Sequence, residues 1–172
     1  MFLNYFKDFS TKKIVKNNLS NVKHLASDSI IKTVGIIFDE SYFYEREDLV
    51  KELILKGIDE KDIKVLVFKD KIKKNEVFDY PIFSNKDLSW TGTVGKKEVK
   101  DFIKEPFDLL INYYDIEKVA LLLVSHLSKA SFKVGFAAID KRLNHFMIDT
   151  NAENYKVFMD ELFKYLKILN KI

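Results

Sequence analysis

The 172-residue sequence has no cysteine, two prolines, five glycines and no uninterrupted hydrophobic run of membrane-spanning length. Without cysteine there are no disulfides, no thiol nucleophile and no thiolate metal site. That composition suits a reducing, cytoplasmic setting. A spanning helix needs about 18–20 apolar residues in a row, and lysines or carboxylates interrupt every candidate. The opening "MFLNYFKDFSTKKIVKNN" has no compact apolar block before a small-residue cleavage site, so no secretory signal is expected. Arginine is nearly missing: the 29 basic residues include only Arg46 and Arg142. Surfaces dedicated to nucleic acid usually recruit arginine, whose planar fork fits phosphate. The three histidines, His24, His126 and His145, are scattered and match no metal-ligand spacing, so no metal site or cofactor is expected.

What remains is rich in apolar mass. Hydrophobic residues make up 47% and aromatics 14% of the chain, including 15 Phe and 8 Tyr, far too much for a disordered polymer. The length fits one domain with a real core. Net charge is +3 but uneven: residues 1–33 hold six lysines against Asp8 and Asp28, an excess of four, so the remainder is slightly acidic.

Two parts follow from this: a basic amphipathic leader over residues 1–30 and an α/β domain over 31–172. In the leader Phe2, Phe6 and Phe9, then Ile14, Val15 and Leu19, fall near helical spacing. Short β-rich apolar runs at 33–40, 63–70, 107–115, 132–138 and 145–150 predict buried strands. Between them "YEREDLVKELILKGI" predicts a helix stopped by Gly57, residues 97–104 a helix ending before Pro106, and 116–130 a buried apolar helix. Residues 71–95 read as loop with a short edge strand near 79–83. The last helix is the clearest: Tyr155, Phe158, Met159, Leu162, Phe163, Leu166 and Leu169 share one face, with Thr150 and Glu153 as a capping box. Strands and helices alternate through connections too long for hairpins. A single three-layer α/β domain with a mainly parallel, flavodoxin- or Rossmann-like sheet is therefore expected, preceded by a basic N-terminal helix.

Four features bear on function. "DLSWTGTVGKK" (87–97) holds the sole tryptophan and a Gly92–Lys97 run, but a phosphate loop needs four residues between its glycines and a hydroxyl after the lysine. Here two residues separate Gly92 and Gly95, and Lys97 stands in the hydroxyl position, so a tight turn is expected. Trp90 anchors this loop or, if exposed beside Lys96 and Lys97, offers a contact surface. Asp39, Glu40, Asp115 and Asp149 sit at predicted strand ends, where open α/β sheets bind ligands. They form a candidate rim for magnesium or a nucleotide, or else serve as helix caps. The pattern resembles response-regulator receivers in shape, but Asn112 occupies the acceptor position and cannot form an acyl phosphate. Ser125 and His126 are adjacent on a helix, about 100° apart, which is poor geometry for activating a nucleophile. Finally Lys7, Lys12, Lys13, Lys16 and Lys23, interleaved with aromatics, suit RNA phosphate, a protein surface, or anionic lipid contacted through residues 1–27, or else the helix packs by its Phe face on the domain with its lysines in water.

Three stretches, "FSNKDLSWTGTVGKKEVKDFI", "PFDLLINYYD" and "SKASFKVGFAAIDKRLNHFMID", with the terminal "ELFKYLKILNKI", together resemble a family of short Bacteroidota proteins classed as a domain of unknown function. The resemblance covers nearly all of the chain after residue 30. It implies a cytoplasmic protein and a shared Trp90–Gly92–Lys96 loop, and it carries over no catalytic residue. A looser likeness links "FDLLI" and "SKASFKVGF" to the N-terminal half of heptosyltransferase-like enzymes, which need a second nucleotide-sugar domain. The expectation is a non-catalytic binding or accessory module. It would contact RNA, a ribonucleoprotein or a protein through Lys7, Lys12, Lys13, Lys16, Trp90, Lys96 and Lys97. The alternative is a small enzyme or nucleotide-binding domain built on the carboxylate rim.

Overall fold

The computed structural model describes residues 13, 16, 17, 19, 29–73, 75–89 and 93–172. Six strands form one parallel sheet: β1 (Val34–Asp39), β2 (Ile63–Phe68), β3 (Ile82–Phe83), β4 (Leu109–Tyr113), β5 (Phe132–Phe136) and β6 (Phe146–Ile148). Beyond the leader, four helices accompany them: α1 (Arg46–Leu55), α2 (Lys97–Lys104), α3 (Val119–Leu127) and α4 (Tyr155–Ile168). The strand order is β3-β2-β1-β4-β5-β6 and every pair is parallel. That is the order of the doubly wound dinucleotide-binding sheet rather than the flavodoxin order.

Alternation along the strands divides the core into two layers. Val34, Ile36 and Phe38 of β1, with Leu109, Ile111 and Tyr113 of β4, meet Leu49 and Leu53 of α1 and Phe158, Leu162 and Leu166 of α4. Ile37 and Leu110 point to the opposite face, against Val99, Phe102 and Ile103 of α2 and Leu121 and Val124 of α3. Because both faces are covered, β1 and β4 are buried along their whole length and read as continuous apolar runs. Two glycines allow close layers. A Cβ at Gly35 would lie 2.6 Å from the Phe107 ring, and one at Gly135 would lie 2.6 Å from the Asn144 amide nitrogen. Gly57, with φ of 101°, ends α1 in a conformation that favours glycine.

The expected capping box at Thr150 and Glu153 does not form. Helix α4 starts later, with Asn154 as its N-cap and no side-chain cap bond. The Asp115 carboxylate instead takes the Ala152 N–H at 2.8 Å, holding the approach to the helix from a neighbouring loop.

Part of the leader is seated on the domain. Lys13, Lys16 and Asn17 are helical, and Leu19 is buried in the layer containing α2 and α3. Arg142 Nη1 donates to the carbonyls of Lys16 at 2.9 Å and Leu19 at 3.3 Å, while Lys16 pairs with Glu117 at 2.7 Å. Cations near terminal helix carbonyls are favourable. Lys7, Lys12 and His24 lie outside the described residues.

Candidate functional site

In this strand order, the ligand crevice opens where the chain reverses direction, at the carboxyl ends of β1 and β4. The turn after β1 would carry glycines to let a pyrophosphate approach the backbone. Here it reads Glu40-Ser41-Tyr42-Phe43-Tyr44-Glu45, without glycine. Phe43 is buried, stacked on Phe38 with ring centroids 5.8 Å apart and tilted against Tyr113 at 4.7 Å. Tyr113 continues the cluster onto Phe136 and Phe158. The first turn of α1 carries Glu47 and Asp48. Aromatic rings thus fill the floor beneath the crevice, and carboxylates stand where the helix N-terminus would otherwise attract phosphate.

Of the four strand-end carboxylates, Asp39, Glu40 and Asp115 are bonded within the protein. Asp39 is fully buried; its Oδ1 accepts the Ser41 N–H at 3.0 Å, and its Oδ2 lies 2.7 Å from Lys118 Nζ, off the hydrogen-bond line. Lys118 also bonds Asp70 at 2.8 Å and sits 5.0 Å from the Phe68 ring centroid. Glu40 accepts from Arg46 at 2.7 Å and from the Tyr80 hydroxyl at 2.9 Å, and the Arg46 guanidinium lies 3.6 Å over the Tyr80 ring. Asp115 accepts the Tyr42 hydroxyl at 2.6 Å on one oxygen and the Ala152 N–H on the other. Burial and the Asp115 bond push the Tyr42 hydroxyl well above the ordinary phenol range, so it remains a donor. Asp149 is exposed just beyond β6, three strands from β1, or roughly 14 Å at normal strand spacing. Among the described residues no group of three or more side chains is placed to hold a metal ion.

Beneath the β4 end lies a buried polar chain. Asn112 donates to Asn144 at 2.7 Å and accepts from Ser125 at 2.7 Å, and Ser125 shares a 2.7 Å bond with the Tyr114 hydroxyl. Ser125 is therefore engaged with Asn112 and Tyr114, away from His126. Burial, then the nearby Lys133 and Arg142, lower the His126 pKa. Lys133 is buried and donates to the Ser125 carbonyl at 2.7 Å, capping the end of α3, and burial brings its pKa down to about 8. These groups tie β4, β5 and α3 together.

The lysines singled out in the sequence are dispersed. Lys13 is exposed, and Lys16 is paired with Glu117. Lys96 Nζ donates to the Ile82 carbonyl on the outer edge of β3, and Lys97 pairs with Asp101 at 2.7 Å within α2. Trp90 lies outside the described residues, together with Thr91 and Gly92. Its flanks pair with each other: Leu88 and Val94 bridge in antiparallel fashion, Ser89 N–H bonds Thr93 O at 2.8 Å, and Gly95 N–H bonds Asp87 O at 2.8 Å. The Gly95 amide is thereby used within the protein. Sequence reasoning missed Lys118, Tyr42, Arg46 and Tyr80, each of which holds a rim carboxylate. Only Lys118 left a trace, as a cation three residues past Asp115 at the start of a helix.

Fold and site together define a doubly wound α/β domain whose switch-point carboxylates are nearly all bonded internally. The chain belongs to a family of unknown function, DUF6913, which matches residues 7–169. No match is found among curated proteins or among solved structures.

Proposed function

We propose that the protein is a non-catalytic binding module, contacting RNA, a ribonucleoprotein or a protein through the basic leader and the Trp90 loop. The observation that carries this reading is the internal bonding of Asp39, Glu40 and Asp115, each held by a named cation, hydroxyl or amide. A catalytic or magnesium-binding rim needs carboxylate oxygens converging on open space, whereas these face protein donors. Docking of Leu19 on the domain is the packed alternative for that part of the leader, and contact then falls to lysines that face solvent, such as Lys13. Leu19, Arg142 and Glu117 fix the leader to the domain while Lys13 faces solvent. The chain works in the cytoplasm of a Bacteroidota cell on this reading, in keeping with its lack of cysteine. No helix among the described residues is long and apolar enough to cross a membrane.

The test is retention on total RNA across a salt series, comparing wild type with Lys7/Lys12/Lys13→Glu. Lys16 is left intact because it pairs with Glu117. Loss of salt-sensitive retention in the variant is the expected result. Equal retention by both proteins removes the leader from the interface. The strand order itself favours a second reading, a nucleotide- or magnesium-binding domain at the β1/β4 switch point. Saturable binding of magnesium or a mononucleotide, abolished by Asp39→Asn, would establish it.

A further inference from the structure

One edge of the sheet is guarded over half its length and open over the other half. Strand β3 pairs only with Val67 and Phe68, so among the described residues Ile63–Leu66 of β2 have β1 on one side and no strand on the other. The bond from Val67 N–H to Pro81 O, and from Lys69 N–H to Phe83 O, shows that odd-numbered residues of β2 face outward. Were the ladder to continue, residue 81 would donate to the Val65 carbonyl, and Pro81 has no N–H to give. Among the described residues nothing takes the Val65 N–H or donates to its carbonyl. By contrast the outer edge of β3 is covered where Lys96 Nζ donates to the Ile82 carbonyl. Charged side chains on an edge are a common guard against unwanted pairing; on the open half of β2 the charged side chain is Lys64, which is drawn onto Glu105 at 3.0 Å.

A groove of about 490 Å³ lies against the open half. Its floor is Ile63, Val65 and Phe102, one wall is Tyr80 and Pro81, and α2 supplies the other with Glu98, Asp101 and Glu105. A second depression of about 380 Å³ continues it past Asp79 and Glu98 toward Lys96. The Tyr80 wall is rigid, because its hydroxyl is bonded to Glu40 and its ring is covered by Arg46. The lining carries more carboxylates than lysines, with Lys64 in the groove and Lys96 in the depression beyond it. Asp79, Glu98, Asp101 and Glu105 are four carboxylates; Lys64 pairs with Glu105 and Lys97 with Asp101. Asp79 and Glu98 are left with no partner among the described residues, in a chain whose overall charge is +3.

We infer that this edge is a docking site for an extended, lysine- or arginine-bearing peptide of a partner protein, which adds as a strand beside β2. Main-chain bonds to Val65 would supply affinity, and alternate side chains entering the groove would supply selectivity. The open stretch of four residues accommodates about 13 Å of strand. Asp79 and Glu98 select for positive charge and reject acidic sequences. Lys96 of the Trp90 loop lines the second depression, but the strand contacts fall on β2 and the charge partners are Asp79 and Glu98, so variants at Asp79 and Glu98 and in the leader separate the two proposals.

The experiment uses the full chain and end-capped, fluorophore-labelled peptides of about seven residues, alternating lysine with valine, alternating glutamate with valine, or lysine-valine with a central proline. Fluorescence anisotropy gives affinity and NMR-detected hydrogen exchange gives protection of the Val65 amide. Expected are binding of the lysine-valine peptide, at least about tenfold weaker binding of the other two, and a similar loss for Asp79→Lys/Glu98→Lys. Both substituted residues are exposed and unpaired, so the variant keeps the fold, which circular dichroism checks. Val65 exchange should slow at least about tenfold on saturation. Lys7/Lys12/Lys13→Glu should bind the peptide like wild type, whatever its behaviour on RNA. Absence of binding, equal binding of the proline peptide, indifference to charge reversal, or an unprotected Val65 amide would each overturn the assignment.

Discussion

Replacing Lys118 with methionine tests whether the rim is structural. The Asp39 side chain is 1% exposed and that of Lys118 17%, so the pair is shielded on the Asp39 side and reachable by water from the other. Methionine keeps most of the stem against Phe68 and Tyr42 but leaves Asp39 with the Ser41 N–H alone. Removing one partner of a buried pair costs about 3–5 kcal/mol; partial exposure of Lys118 puts this case near the lower end, about 3 kcal/mol. Asp39→Asn leaves Lys118 its bond to Asp70, so its cost is smaller, about 1–2 kcal/mol. The double variant should recover about 1–3 kcal/mol relative to the sum, since each partner's loss makes the other's removal cheaper. Urea unfolding at pH 7, followed by far-ultraviolet circular dichroism and by the emission of Trp90, measures all three. A cost below about 1 kcal/mol for Lys118→Met, or strict additivity in the double variant, would refute the structural assignment and free Asp39 for ligand chemistry.

Three other outcomes are expected. Leu19→Ala should cost about 2–4 kcal/mol in urea unfolding, because the side chain is buried in the layer formed with α2 and α3; a cost within about 0.5 kcal/mol would mean that the leader is not anchored there. Gly135→Ala should destabilise by about 1–3 kcal/mol, as its Cβ meets the Asn144 amide at 2.6 Å and Asn144 is already bonded to Asn112; thermal unfolding unchanged from wild type would contradict the packing. The Arg142 guanidinium beside Asp140 holds that carboxyl down to about 2. Because the folded value lies below the unfolded one, the pair's contribution is complete above about pH 4 and fades as pH falls toward 2. The stability gap between wild type and Asp140→Asn, about 1–2 kcal/mol at pH 6, should therefore close over that window; a gap independent of pH would rule out the titration.

The physical reasons decide which parts of this fold could be read from sequence. β1 and β4 announce themselves because strands covered on both faces must be apolar at nearly every position. Helix α4 is legible from its one-sided stripe, and α2 from its amphipathic spacing and the Pro106 that follows. Strand order was not legible, since a local pattern says nothing of which strands become neighbours. β3 was overestimated as a strand because only Ile82 and Phe83 pair, Pro81 preventing an earlier start. At the rim the sequence showed carboxylates at strand ends but not their fates. Tyr42 meets Asp115 across 73 positions and Tyr80 meets Glu40 across 40, separations at which no spacing rule operates. The open β2 edge follows from the shortness of β3, so it too emerges only from the assembled sheet.

The central claim is that the switch-point carboxylates hold the fold and leave partner binding to other surfaces. An amide-resolved NMR titration of the full chain with magnesium, alone and with a mononucleotide, tests it most directly. The amides of Ser41, Asp115 and Lys118 should stay in place up to the millimolar range. Saturable shifts centred on those three residues would contradict it.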